Sequence, residues 1–212
     1  MQNHLSYDEI MALEQRYRAS LINSLGGFKS VCLIGTKNTL SQTNLAIFNS
    51  LVHIGANPPL IGFIVRPDTA ERHTLSNILA TNYYTINHIN ETIYEQAHQT
   101  AARYEANASE FDATQLTEEY KHNFFAPYVQ QSHVQLGVEF KQRIDLTING
   151  AIFIIGEIKH VYYPQECLHN TGFIDLELAK TITCSGLYSY HTTQLLGRLS
   201  YAKPNTLPHK ID

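Results

Sequence analysis

Apolar residues recur along this chain at two periods, and the change from one to the other divides it. Ile10, Leu13, Tyr17, Leu21 and Leu25 fall three or four residues apart behind Ser6 and Glu9. That spacing predicts one opening helix with a capping box at its start and Gly26-Gly27 at its end. Short apolar runs follow. "SVCLIGT" (30–36), "TNLAIFNSLVHI" (43–54) and "PLIGFIVR" (60–66) read as strands, separated by polar turns and by "ANPP". Leu75, Ile78 and Leu79 give a two-turn helix with Thr74 placed as its N-cap. "YYTINHI" (83–89) predicts a strand, and "ETIYEQAHQTAARY" (91–104) a helix capped by Asn90.

Further on, Val134, Leu136, Val138 and Phe140 alternate as a strand with one wet face should. "AIFIIGEIKHVYY" is its partner, and Asn149-Gly150 between them signals a two-residue hairpin turn. The irregular stretch from about 105 to 130 carries Phe111, Phe124, Phe125 and Tyr128, an aromatic load that must be buried against something. About seven strands with few helices predict a mainly β fold, a closed or nearly closed antiparallel barrel.

Composition narrows the function. Fifteen Lys and Arg against nineteen Asp and Glu leave a formal charge of -4, with no basic run for nucleic acid or an anionic membrane. The longest apolar runs are too short to span a bilayer, and the first residues lack the order of a secretory signal. Three cysteines without CxxC spacing read as reduced thiols in a cytoplasmic protein. None of the eleven histidines lies at metal-ligand spacing, so no metal site is expected. GxGxxG, GxxxxGK[ST] and GxSxG are all absent.

What remains is "RPDTAERHTLSNI" (66–78), where Arg66, Arg72 and His73 crowd the start of the predicted helix. A phosphate monoester needs converging donors: Arg forks, a hydroxyl, and the free N–H groups of a helix start. Arg72, Thr74 and the N–H groups beyond it supply all three, and Arg66 ends the strand before them. Upstream, "TNLAIFNS" has small and amide residues where a plain barrel strand would be bulky. A backbone left accessible by Ala46, with Asn44 and Asn49 beside it, suits the edge of a planar ring such as an isoalloxazine.

With "TNLAIFNS", "NPPLIGFIVRP", "RHTLSNI" and "YYTINHI" in this order, residues 28 to 90 resemble the flavin reductase-like family of the FMN-binding split-barrel superfamily. Thr74, Asn77, Ile78, Tyr84, Ile86 and Asn87 match the family's helix and following strand. The likeness continues more loosely over 134–162, through Gly156-Glu157, and weakly over 163–212. Residues 1–27 look like an added N-terminal helix, leaving 28–212 as the barrel domain. The resemblance implies an antiparallel FMN-binding split barrel with flanking helices, forming a homodimer. It implies an FMN-dependent oxidoreductase that takes a hydride from NAD(P)H and passes electrons to a flavin or small-molecule acceptor. An FMN carrier or sensor, and a barrel module with no cofactor, are the alternatives. By position, Asn44, Ala46, Phe48 and Asn49 would border the isoalloxazine, and Ser50, Arg66, Arg72 and Thr74 the ribityl phosphate. Asn49 and "LVHIGA" depart from the Ser-rich stretch of many members, which throws more weight on Arg72. His98 and His160 are candidates for a substrate pocket near the flavin.

Overall fold

The structure, a computed structural model, describes residues 2–67, 72–105 and 108–211. Residues 68–71 of the cationic motif and 106–107 of the aromatic stretch lie outside the described residues. In chain order the helices are α1 (Tyr7–Ala12), α2 (Gln15–Leu25), α3 (His73–Thr81), α4 (Tyr94–Gln99) and α5 (Glu110–Thr114). The strands are β1 (Lys29–Ser30), β2 (Cys32–Lys37), β3 (Thr43–Phe48), β4 (Val52–Ala56), β5 (Pro59–Val65), β6 (Tyr83–His88), β7 (Glu118–Glu119) and β8 (Tyr128–Val129). They continue with β9 (Gln135–Leu146), β10 (Ala151–Tyr162), β11 (Thr183–Ser185), β12 (Ser189–His191), β13 (Arg198–Leu199) and β14 (Lys210–Ile211).

Seven strands form one antiparallel sheet in the order β3-β2-β6-β9-β10-β5-β4. Its two edges are consecutive in sequence, so the expected single strand over 43–54 is in fact two, at opposite ends of the sheet. Ser50 makes the corner: its hydroxyl accepts from the Ile64 N–H and donates to the Ile64 carbonyl, both at 3.0 Å. This side chain takes over the role of a ladder partner where no strand is left to pair. β1, β11 and β12 form a separate three-stranded sheet.

Two apolar layers result. Ile34, Phe63, Leu75, Ile78, Tyr84, Ile86, Val138 and Ile154 pack together between the sheet and α3. Leu33, Leu45, Ile89, Ala97, Phe111 and Cys184 pack on the opposite face of β2 and β3, under α4 and α5. β2 thus has core on both sides, which is why "CLIGT" is apolar without alternation. All three cysteines are free and buried.

The aromatic stretch packs on this same chain and needs no second molecule. Phe111, Phe124 and Tyr128 are buried, while Phe125 stays partly open. It covers the face of β9 expected to be wet, so Gln135 and Gly137 are buried along with Leu136 and Val138. Glycines permit the approach: a Cβ at Gly35 would overlap the Pro127 carbonyl, and one at Gly137 the Tyr128 hydroxyl. Gln135 donates from Nε2 to the Val129 carbonyl at 2.6 Å and accepts from Lys121 Nζ at 2.7 Å, so its burial is compensated.

Local expectations also shift. The opening helix breaks at Leu13-Glu14, because Glu14 is extended and caps α2, accepting from the Arg16 and Tyr17 N–H groups at 2.8 and 2.9 Å. The capping box of Ser6 and Glu9 is present on α1. No residue of α1 or α2 is buried. The helix expected over 91–104 is only α4, since Asn90 accepts at its side-chain Oδ1 from the Thr92 N–H and hydroxyl, making a local turn in place of a cap. β9 and β10 pair from Leu146 and Ala151, leaving a four-residue connection; Gly150 takes φ +74° and Asn149 accepts from the Ala151 N–H.

Candidate functional site

A cleft of about 750 Å³ opens between the outer edge of β3, the end of β5, the start of α3 and the β11–β12 hairpin. Asn44, Ala46, Phe48, Asn49, Ser50, Arg66, Arg72, Thr74 and His98 all line it. The fold brings these together because β3 and α3, 30 residues apart, are joined by a buried bond from Asn44 Nδ2 to Thr74 Oγ1 at 2.9 Å. His160 is not brought there. It sits on β10 against the rings of His122, Phe124 and Tyr162, and lines no part of the cleft.

The start of α3 differs from its sequence reading. Arg72 occupies the N-cap position and Thr74 lies inside the helix, its hydroxyl engaged by Asn44. No side chain among the described residues caps the helix. Among the described residues Arg72 donates from Nη2 to the Pro67 carbonyl at 3.3 Å, while its Nε is buried with no hydrogen-bond partner. A buried donor left unpaired costs about 1–3 kcal/mol, and helix starts of this kind take anions. A guanidinium donor unpaired among the described residues, at a helix start with no side-chain cap, fits a phosphate monoester.

The accessible backbone on β3 is not that of Ala46. Ala46 pairs with Ile34, and the Leu45 N–H points the other way, donating to Glu110 Oε2 at 2.9 Å. By the alternation of an antiparallel edge strand, the next outward main-chain groups belong to Ile47. The small Ala46 side chain still faces the cleft beside them. Phe48 adds an apolar wall, edge-on to Phe63 at 4.9 Å. A planar ring with hydrogen-bonding atoms on its edge fits this strip.

Two polar residues do work other than expected. The Ser50 hydroxyl is committed to Ile64, and Asn49 Nδ2 donates to the Gly186 carbonyl at 3.3 Å, tethering the β11–β12 hairpin across the cleft. The sequence reading also missed Glu110, Arg103, Tyr188 and Tyr190. Glu110 is 7% exposed. Burial raises its carboxyl above the ordinary range, opposed by the Leu45 N–H bond and by nearby His73. It sits in an irregular stretch with no periodicity to mark it. Tyr190 lies on β12 and Tyr188 in the turn just before it, so the alternation of "YSY" hints at a strand but does not mark the cleft.

Comparison with known proteins agrees with this fold. The model of the family described as flavin reductase like domain matches residues 28–177. A crystal structure from Shewanella frigidimarina NCIMB 400, provisionally named a flavin reductase with split barrel domain, is 51% identical and superposes with a TM-score of 0.92 over 95% of this chain and 100% of that one. Nitrilotriacetate monooxygenase component B from Bacillus cereus shares the fold at 20% identity, with a TM-score of 0.82 over 94% of this chain and 100% of that one. So does the 2-nitrobenzoate 2-nitroreductase of Pseudomonas fluorescens, at 20% identity and a TM-score of 0.79 over 98% and 99%.

Proposed function

The chain belongs to the flavin reductase-like family and is a flavin-related oxidoreductase with a split-barrel fold, and from that premise we propose that it binds FMN in the cleft and oxidises NAD(P)H. The observation that carries the reading is the orphaned Arg72 Nε at the uncapped start of α3, a short way from the open edge of β3. Arg72, the α3 N–H groups and Arg66 hold the phosphate. The Ile47 main chain meets the ring edge, and Ala46 and Phe48 lie along the ring. When bound, the flavin accepts a hydride and hands two electrons on; the chain's own task is to orient the ring and shelter one side of it.

FMN is favoured over FAD because the cationic end of the cleft suits a terminal phosphate, whose dianion would pair with Arg72. The test is the visible spectrum after reconstitution with FMN, followed by anaerobic NADH or NADPH. Loss of the oxidised flavin band supports the reductase. A flavin that binds yet stays oxidised with both nucleotides supports a carrier or sensor instead. No uptake of FMN or FAD refutes the reading.

We also propose a homodimer. Leu25, Tyr17 and Phe28 near the N-terminal helices are exposed, and no residue of α1 or α2 is fully buried within the chain. Light scattering should give twice the 24.0 kDa chain mass. A monomer with FMN bound would refute it.

A further inference from the structure

One wall of the cleft is built of rings from two distant elements. His98, on α4, and Tyr188 and Tyr190, on the β11–β12 hairpin, all line it. His98 Nδ1 and the Tyr190 hydroxyl are 2.7 Å apart. The His98 ring stands nearly perpendicular to Tyr188 at 5.9 Å and to Tyr190 at 5.7 Å, and Tyr94 tilts against Tyr190 from behind. Burial pushes the Tyr190 phenol up to about 12, so it stays a neutral hydrogen-bonding group near neutral pH.

Tyr188 is the unusual member. It is 73% exposed although it stands in a cleft, and among the described residues no ring is stacked face to face on it. The hairpin that carries it is held in place. The tip of its hairpin turns at Gly186, with φ +59°, and the Gly186 carbonyl accepts from Lys29 Nζ at 2.8 Å and from Asn49 Nδ2 at 3.3 Å. Ser185 Oγ lies 2.9 Å from His191 Nε2 across the hairpin. Three ties hold the short hairpin that carries this exposed ring. An aromatic face that is open and inside a concave site is suited to stacking.

We propose that the His98–Tyr188–Tyr190 wall is a stacking subsite for a planar aromatic molecule, which as the electron acceptor (an identity resting on the flavin reading above) is selected over saturated compounds of the same charge. The phenol and imidazole edges give it hydrogen-bonding groups, and Tyr188 gives it a face. The wall comes from α4 and the β11–β12 hairpin, whereas Arg72 stands at the start of α3.

Calorimetric titration with 2-naphthoate and with cyclohexanecarboxylate tests this, since the two acids share a charge and differ in the flat ring. Each is titrated into the protein with and without FMN. Naphthoate should bind more tightly, Tyr188→Leu should reduce that preference by roughly three- to tenfold, and Tyr188→Phe should keep it. Unchanged melting curves confirm that the variants fold. Equal binding of the two acids, no naphthoate binding at millimolar concentration, or a preference that survives Tyr188→Leu overturns the proposal. FMN uptake is read separately: its absence refutes the flavin reading, whereas FMN uptake without naphthoate preference refutes only the stacking subsite.

Discussion

Replacing Arg72 by alanine separates phosphate recognition from ring recognition. In the free protein the change removes one long bond to the Pro67 carbonyl and also a buried Nε that has no partner. A bond from the charged guanidinium contributes about 1.5–3 kcal/mol and the unpaired donor costs about 1–3 kcal/mol, so the two terms offset and the apo melt should scarcely move. With ligand the balance differs. A hydrogen bond to a charged partner contributes about 1.5–3 kcal/mol, which is roughly a 10- to 150-fold loss of FMN affinity in Arg72→Ala. Riboflavin, with the same ring and no phosphate, should lose less than about threefold on the same scale. Arg72→Lys keeps a charge but not the planar fork, and should fall between. The assay is flavin fluorescence quenching with both ligands at low and high salt, alongside apo melting curves. Equal weakening of FMN and riboflavin, or a clear loss of apo stability, would refute the reasoning.

Ala46→Leu should abolish flavin binding while leaving the apo melt near wild type, because position 46 faces the cleft; an apo loss of about 1–3 kcal/mol would instead mean overpacking of the core. Glu110→Ala should destabilise by about 1–3 kcal/mol through the stranded Leu45 N–H, whereas Glu110→Gln keeps an acceptor. Because the folded carboxyl titrates above its ordinary value, the ionised form is penalised, and Glu110→Gln should gain on wild type as pH rises through that range in denaturant titrations. His88, beside the Thr181 hydroxyl, is pushed by burial from 6.5 to about 4. Its folded value is depressed, so the unfolded chain takes up the proton first, and stability should fall between pH 6.5 and about 4, by at most about 3 kcal/mol. His88→Asn should flatten that slope, and an unaltered slope would remove His88 as its source.

Features that depend on a few neighbouring residues were legible in the chain itself. The capping box at Ser6 and Glu9, the strands around "CLIGT", "PLIGFIV" and "YYTINH", and the turn at Asn149-Gly150 all follow from period, capping chemistry and φ preference. The cationic start of α3 was legible for the same reason, as was the mainly β antiparallel architecture. Tertiary structure alone decided where the run over 43–54 would split, because the corner at Ser50 depends on which strand stands opposite. Only the folded chain makes Glu110 part of the cleft, through a bond to Leu45 spanning 65 residues. Likewise Asn49 finds its partner 137 residues away, at Gly186, and so brings Tyr188 and Tyr190 over the opening. It also removed His160, whose strand carries it to the aromatic cluster beside Phe124. Local pattern sets the period and ends of an element; which side chains meet is decided by pairing and burial between segments far apart in sequence, and no short window records that.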